Sequence, residues 1–396
     1  MIHETWKGPS DAMTILLIIG GDVVLQALAQ LSGRRLPLVA FSFGWVGYSF
    51  NTLMSVVGNG RLMPFPDYEV KIINAQNGFA RDNHAWAIGR LLRDFERDGK
   101  NRWGERRQGD GKSRWGGRRQ WDGKTKETKK VDEAYGRTVV YDQDWCSIIG
   151  LGVAAIPCGL DGDWSILVIT FAGTILALLT GALPQWRFEK WNCRPNTSKG
   201  CCLTRGNGAR TVMVIIGCGV GPDLEDMAAA ESPRLLRAVK GADSTYTDVV
   251  MGLPVVGWIT NVSCIILSVA WIVLLITVTA IEQHHWFLLL VGGIGMLQNV
   301  LVAGARRSPA SRGIHLEQIE EFKGQKVMHA LMDVERAYHR VGRSLLAEFF
   351  PNDKELRKEE TDCLCEKETR RWTRWNASVS RRFEVGPRAK TRKSRR

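Results

Sequence analysis

The stretch 258–303 reads WITNVSCIILSVAWIVLLITVTAI, then EQHH, then WFLLLVGGIGMLQNVLVA. Its two long apolar runs contain no Asp, Glu, Lys or Arg, and only four polar residues separate them. A helix needs about 20 apolar residues to cross a hydrocarbon core of about 30 Å. The first run is long enough for this, and the second is just long enough. The stretch therefore predicts a transmembrane hairpin.

The region 13–58 predicts another transmembrane hairpin. Its arms are the apolar runs Met13–Leu31 and Leu36–Gly58, joined by a short turn that carries two arginines. A cleaved signal peptide is the alternative, since Ala27-Leu28-Ala29 resembles a cleavage site. The N-terminal segment 1–12 contains acidic residues and lacks the positive region of a signal peptide, which favours an uncleaved anchor.

The region 145–184 predicts the remaining hairpin. The arm Trp164–Pro184 has a Trp at its start and Trp186 just beyond its end, as interfacial aromatic residues would be placed. The arm Trp145–Leu160 is short for a span, and whether it crosses decides the topology. The sequence thus predicts an α-helical polytopic membrane protein with about six transmembrane helices in three hairpins.

The segment 59–98 predicts a small α/β structure outside the bilayer. Residues Tyr68–Asn74 alternate like a strand, and Asn77-Gly78 is a turn signal. A helix then runs to about Arg97. This helix either packs on its own small domain or lies in the membrane plane.

Two other polar regions flank the hairpin at 258–303. In 187–254, Asn207-Gly208 between two apolar runs predicts a β-hairpin. The tail segment 304–351 contains apolar residues at helical spacing, which predict an amphipathic helix over 325–341. The basic end, 352–396, is predicted to be disordered. Because Lys and Arg near span ends favour the cytosol, the loops and the C-terminal tail are predicted to be cytosolic.

An imperfect twelve-residue repeat dominates the charged region 99–130. DGKNRWGERRQG (98–109) is followed directly by DGKSRWGGRRQW (110–121). The region has twelve Lys or Arg against four Asp or Glu, in a chain with a formal charge of +13, and its near lack of aliphatic residues predicts disorder. A tandem duplication in a tolerant loop, anionic lipid contact by the repeat and the basic tail, and stacking on single-stranded RNA are the alternatives, with nucleic acid the least favoured.

The lipid bilayer is the predicted partner of this chain, and polar residues inside the predicted spans are its candidate functional residues. An intramembrane carboxylate is expensive and often marks an ion or proton path, whereas a polar seam between helices explains the same residues without transport. The candidate intramembrane polar site comprises Asp22, Gln26, Asn51, Asn261, Gln298 and Asn299.

Other motifs predict no catalytic residue, metal or cofactor. The turn Gly217–Pro222 resembles a phosphate-binding loop, but Pro222 stands where the fingerprint needs a third glycine, so a plain turn is favoured. The pair His284-His285 lacks further ligands and is interpreted as a polar turn. Cysteines at 193, 201, 202, 363 and 365 lack the CxxC spacing of zinc sites, which leaves zinc, lipidation and unmodified thiols as alternatives, the last being the default.

The chain also resembles a family of uncharacterised multi-pass membrane proteins from filamentous ascomycete fungi. The resemblance spans most of residues 13–351, but not the repeat, the basic end of the tail or the short arm at 145–160. It implies a polytopic membrane protein and offers no catalytic or binding residues. The segments that carry it are ALAQLSG (27–33), FSFGWVGY (41–48), AIPCGLDGDW (155–164), LALLTGALPQWRFEKW (176–191), LTRGNGAR (203–210), PDLEDMAA (222–229), WFLLLVGGIGMLQNVLVAG (286–304), RRSPASRGIHLE (306–317) and VGRSLLAEFFP (341–351).

Three functional hypotheses follow from the sequence. The first is a membrane-anchored interaction or structural component, because a large charged share of the chain lies outside the spans. The second is a small transporter or channel that uses the intramembrane carboxylate of Asp22. The third, an enzyme built on 187–254, has only the glycine turn to support it, so the sequence favours a protein that is not an enzyme.

Overall fold

The computed structural model describes residues 10–32, 39–58, 60–109, 148–219, 221–229, 249–250, 253–281, 285–324 and 326–351. The chain divides into two compact units. The apolar unit comprises Met1–Phe65, Lys100–Asn192 and Ala230–Gly313. The α/β unit comprises Pro66–Gly99, Cys193–Ala229 and Ile314–Arg396. The basic tail 352–396 and the second copy of the repeat lie outside the described residues.

The apolar unit is a bundle of helices. The helices are α1 (Ser10–Leu31), α2 (Gly44–Val57), α4 (Ile148–Asp161, with a turn at Ala155), α5 (Ser165–Gly181), α6 (Pro184–Lys190), α8 (Val255–Thr279) and α9 (His285–Gly304). Helix α1 packs on α2 and α9, α2 packs on α8, and α5 packs on α8 and α9. A short antiparallel pair, β5 (Val249–Val250) and β6 (Leu253–Pro254), precedes α8.

The helices corresponding to the stretch 258–303 meet the requirements of membrane spans. Among the described residues, Trp258–Thr279 and Trp286–Gly304 are long and apolar enough to cross a bilayer. A third candidate exists if α5 and α6, which meet at a bend of 41°, form one span. The predicted count of six is therefore not matched, since helix length and composition support two or three.

The predicted second span, Leu36–Gly58, is shorter in the structure. Helix α2 begins only at Gly44, and the preceding residues Val39–Phe43 are buried without forming a helix. At about 1.5 Å per residue, the 14 residues of α2 fall short of a bilayer core. The reason lies in tertiary contacts of Val39–Phe43 with α9, which the local sequence does not reveal.

The α/β unit contains an antiparallel sheet with the strand order β2-β1-β3-β4. The strands are β1 (Lys71–Asn74), β2 (Ala80–Asp82), β3 (Gly200–Thr204) and β4 (Met213–Ile216). The hairpin predicted around Asn207-Gly208 is confirmed as β3 and β4. Strand β1 pairs with β3, so the polar segments that were predicted as separate small structures form one sheet.

Helices cover this sheet. Helix α7 (Leu224–Ala229) packs on β1 and β2. Helices α10 (Val327–Ala337) and α11 (Val341–Phe349) pack on each other and form one core with the sheet. The amphipathic helix predicted over 325–341 is confirmed as α10, but it ends at Ala337, before a turn at Arg340, which has a φ of 71°. That core comprises Ile73, Ala75, Cys202, Leu331, Ala337, Tyr338, Val341, Leu345 and Phe349.

Helix α3 (Trp86–Gly109) is longer than predicted. Its first three turns carry the expected apolar face, with Trp86, Ile88 and Leu92 buried. The helix continues through the first copy of the repeat to Gly109, where the sequence predicted disorder from residue 99. Lys, Arg, Glu and Gln are good helix formers, and the prediction gave too much weight to the glycines.

Candidate functional site

The predicted intramembrane polar residues do not converge on one site. Asp22 in α1 and Asn51 in α2 are exposed, and Gln26 and Asn261 are partly exposed. Only the neighbours Gln298 and Asn299 of α9 are buried, at 4% and 1% exposure. The seam that would connect all six residues is therefore not formed within the described bundle.

Asn299 binds the non-helical segment Val39–Phe43. Its side-chain amide donates to the carbonyl of Ala40 and to the hydroxyl of Ser42, both at 3.2 Å. The indole of Trp45 donates to the same Ala40 carbonyl at 2.8 Å. Non-helical backbone at membrane depth is tolerated only where its polar groups are satisfied within the protein. Asn299 thus stabilises the break before α2.

Glycines of α9 let this segment approach the helix closely. A Cβ on Gly295 would lie only 1.8 Å from the Phe41 carbonyl oxygen, and one on Gly292 would overlap the ring of Phe43. The Phe41 ring stacks on Trp271 of α8 at 6.2 Å, and Trp45 stacks on Trp271 at 5.3 Å. The break is therefore held by close backbone packing and by stacked aromatic rings.

A small cavity lies between α2, α5 and α8. It has a volume of about 10 Å³, at the lower limit for one water molecule. Hydroxyl groups from three helices line it, and Ser268 of α8 donates to the Ser49 carbonyl of α2 at 3.1 Å. These hydroxyls were missed by sequence reasoning because Ser, Thr and Tyr are common in apolar helices. They are Tyr48, Ser49, Thr52, Thr180 and Ser268.

An apolar groove runs along the outside of α5 and α8. It is an open depression of about 420 Å³, lined by residues of both helices from Ala172 to Leu176 and from Ala270 to Thr277. Apolar atoms form almost all of its surface. Thr277 is the one lining residue with a polar side chain.

Charged residues gather where α1, α6 and α9 end. The Glu189 carboxylate accepts hydrogen bonds from the backbone N–H groups of Leu62 at 3.1 Å and Met63 at 2.6 Å. The neighbouring Lys190 ammonium donates instead to carbonyls at the end of α1. Adjacent residues of α6 thus fix two different segments, and neither residue was singled out from the sequence.

The glycine turn Gly217–Pro222 in the α/β unit is a plain turn. The Gly217 N–H donates to the Lys199 carbonyl at 3.1 Å, and the Gly219 N–H donates to the Thr197 carbonyl at 3.0 Å. These amides are therefore occupied within the protein and do not face a phosphate. The strands beside the turn are antiparallel, unlike a dinucleotide-binding unit.

An ion-pair network fixes this turn to α7. Asp223, which is 2% exposed, accepts from the backbone N–H groups of Glu225 and Asp226 and so caps the helix. Arg194 donates two hydrogen bonds to Asp226, and these lower the pKa of that carboxyl. Lys199 lies 3.0 Å from Asp223. Each of these charges has a partner, so the network is explained by structure alone.

The described cysteines of the α/β unit are not part of a group that could hold a metal ion. Cys201 and Cys202 are adjacent in β3, so their side chains point to opposite faces of the sheet. Both are buried, which raises their thiol pKa to about 12, and burial raises the pKa of Cys193 to about 11. In the part of the chain that the structure describes, no three His, Cys, Asp or Glu residues are grouped to hold an ion. Residues 363 and 365 lie outside that part.

Comparison of the chain with protein-family models, with curated proteins and with solved structures finds no match.

Proposed function

We propose that this chain is an integral membrane protein that anchors one α/β unit at a bilayer as an interaction or structural component. The outward faces of α8 and α9 support the membrane part of the proposal. Ile259, Ile266, Leu297 and Leu301 are 56–64% exposed on these helices. Apolar faces of this size are stable in lipid and are rare on soluble monomers.

The sheet of the α/β unit gives the strongest support for the proposal. Strand β1 precedes α4, α5 and α6 in the chain, β3 follows them, and the two strands pair over four residues from Lys71↔Thr204 to Asn74↔Cys201. Helices α10 and α11 follow α8 and α9 yet share a core with that sheet. Paired strands lie on the same side of a bilayer. The apolar helices between these pieces therefore cross an even number of times.

This arrangement favours an anchoring role. The pieces of the α/β unit are separated along the chain by apolar helices, so the unit forms only when those helices bring the pieces together. The excess of Lys and Arg in the first loop favours the cytosolic side for the unit. A domain anchored in this way is available to partners beside the membrane.

A disulfide cross-link tests the shared side. The register places Asn74 opposite Cys201, and opposed residues of antiparallel strands are about 4.5–5.5 Å apart at Cα, within disulfide range. Because the Cys201 thiol is buried in the native protein, the purified protein is unfolded in denaturant and refolded into detergent in a glutathione redox buffer. We expect Asn74→Cys to form a disulfide with Cys201 under these conditions, detected by peptide mass spectrometry. Gln76→Cys, in the exposed turn, is the matched control and should form no disulfide with Cys201. Absence of the Asn74→Cys cross-link in the refolded protein would overturn the shared sheet.

Disruption of the α/β unit tests the interaction role. A Cβ on Gly342 would lie 2.3 Å from the Leu331 carbonyl oxygen, whereas one on Gly221 meets nothing within 4 Å. We expect Gly342→Ala to remove cross-linked assemblies larger than the chain from native membranes, and Gly221→Ala to keep them. Unchanged assemblies in Gly342→Ala contradict the proposal. An ion or proton flux in vesicles that disappears in Asp22→Asn would favour the transporter alternative instead.

A further inference from the structure

Strand β4 is an edge of the sheet, and among the described residues no strand pairs with its outer side. The Gly217 N–H, just beyond β4, donates to the Lys199 carbonyl, just before β3, at 3.1 Å. Because backbone groups alternate in direction along a strand, those of Val214 and Ile216 point away from β3. Within the described residues, the one contact to these groups is weak, from the Cys218 thiol to the Ile216 carbonyl at 3.8 Å. Strand β4 therefore presents a row of unpaired hydrogen-bonding groups.

The two edges of the sheet differ in their protection against pairing. The other edge strand, β2, carries Arg81 and Asp82, and charges on an edge strand oppose pairing with another chain. The segment 211–219 reads TVMVIIGCG and contains no charged residue and no proline. All of its residues are partly exposed, whereas every residue of β3 is buried. Strand β4 thus has the features of an edge that accepts a further strand.

The outward backbone groups of β4 are symmetric about Val214. Val212, Val214 and Ile216 are two residues apart, and their side chains pack on the core that the sheet shares with α10 and α11. If a second β4 runs antiparallel to the first, Val214 lies opposite its own copy, and Val212 lies opposite Ile216 of the other chain. Each of these pairs exchanges two backbone hydrogen bonds. All three side chains are β-branched and uncharged, so no pair across the two strands is repulsive.

We propose that β4 pairs antiparallel with β4 of a second copy of this chain, which joins two sheets across a two-fold axis. The inference deepens the proposed function and rests on it, because copies anchored in one bilayer carry their α/β units on the same side. A two-fold interface uses the same surface on both copies, and β4 matches itself in hydrogen bonding and in charge. The joined sheet has the charged strand β2 at both ends, so assembly stops at two copies.

Co-capture of two copies tests the pairing. Full-length chains with two different affinity tags are co-expressed, extracted from membranes in polymer nanodiscs and captured on one tag, and the other tag is measured. We expect the wild type to be co-captured. Val214→Pro removes an outward N–H without removing a bond to β3, so co-capture should fall about tenfold or more. Ala80→Pro is the matched control, because its N–H points outward from the charged edge strand β2, and it should be co-captured normally.

Hydrogen–deuterium exchange at single residues shows whether β4 itself is paired. In co-captured wild type, we expect the Ile216 amide to be protected as well as the Ile215 amide, which faces β3. In Val214→Pro, the Ile216 amide should exchange about tenfold faster or more, and protection of Ile215 shows that β4 is still folded.

The possible failures are distinguishable. Fast exchange of the Ile216 amide in co-captured wild type overturns the inference, and this measurement needs no variant. Normal co-capture of Val214→Pro overturns it as well. A protected Ile216 amide in discs that hold one copy and a different protein would assign the edge to another partner and overturn self-pairing. Membrane-retained chains that are captured only as single copies overturn the inference alone, whereas release of the chain from membranes by alkaline carbonate overturns the proposed function.

Discussion

Gly20 of α1 and Gly44 of α2 are in backbone contact. A Cβ added to Gly20 would lie 2.4 Å from the Gly44 Cα atom, and a Cβ added to Gly44 would lie 2.5 Å from the Gly20 carbonyl oxygen. Small residues at a crossing point let helices approach until van der Waals packing alone holds them, which is how apolar helices associate in lipid. This contact therefore fixes the first two helices of the apolar unit.

The first prediction concerns this contact. Gly44→Ala should destabilise the apolar unit by about 1–3 kcal/mol, because backbone atoms of Gly20 have to move to admit the methyl group. Gly293→Ala in α9 is the matched control, since its Cβ meets nothing within 4 Å. Because Ala has a better helix propensity than Gly, the stability of Gly293→Ala should be unchanged or higher by about 1 kcal/mol. Thermal unfolding in detergent, followed by circular dichroism, measures both, and equal midpoints would contradict the prediction.

The second prediction concerns the amide of Asn299. Asn299→Ala removes its hydrogen bonds to Ala40 and Ser42, while the Ala40 carbonyl keeps the Trp45 indole as a donor, so stability should fall by about 1 kcal/mol. Asn51→Ala is the control, because that amide is exposed. Adding Ser42→Ala to Asn299→Ala should cost less than the sum of the two single changes, since the partners share one contact. If the stability losses of the two single changes simply add in the double variant, the Asn299–Ser42 contact contributes nothing to stability.

The sequence predicted those parts of the fold that depend on local pattern. Two uncharged apolar runs at 258–303 predicted the helices α8 and α9, and Asn207-Gly208 predicted the β3–β4 hairpin. The break before α2 was not predictable in this way. It depends on Gly292, Gly295 and Asn299, which lie some 250 residues along the chain from Phe41. An apolar run without charges has the same pattern whether its helix is whole or broken.

Long-range pairing explains the other differences. The pairing of β1 with β3 joins segments about 130 residues apart, and no local signal specifies a register of that kind. The turn between α10 and α11 depends on Glu335, whose carboxylate accepts hydrogen bonds from the backbone N–H groups of Arg340 and Arg343. Lys190 had a signal in the sequence, a lysine beside the end of an apolar run, but only the structure shows its burial.

The third prediction concerns cysteine reactivity. Cys201 and Cys202 are buried and their thiol pKa is raised to about 12, so at pH 8 they should remain unmodified by a maleimide in the native protein. The partly exposed Cys158 should react under the same conditions. Peptide mass spectrometry before and after unfolding in denaturant shows the order in which the cysteines react with the maleimide. Modification of Cys201 or Cys202 as fast as Cys158 would contradict the packing of β3.

The fourth prediction concerns acid sensitivity of the Arg194–Asp226 pair. Hydrogen bonds from Arg194 lower the pKa of Asp226 in the folded protein. The unfolded chain therefore takes up the proton first as pH falls, so the pair stabilises above the ordinary Asp pKa of about 4 and this contribution is lost as pH falls through the lowered folded-state pKa. The Arg194 side chain is exposed to solvent, so the contribution should be small. The stability difference between wild type and Asp226→Asn, measured by thermal unfolding in detergent, should shrink as the pH falls below about 4.

Asp333→Asn, at an exposed position, is the control for the charge change itself. A difference for Asp226→Asn that stays constant from neutral to acidic pH would show that the pair contributes no acid-sensitive stability.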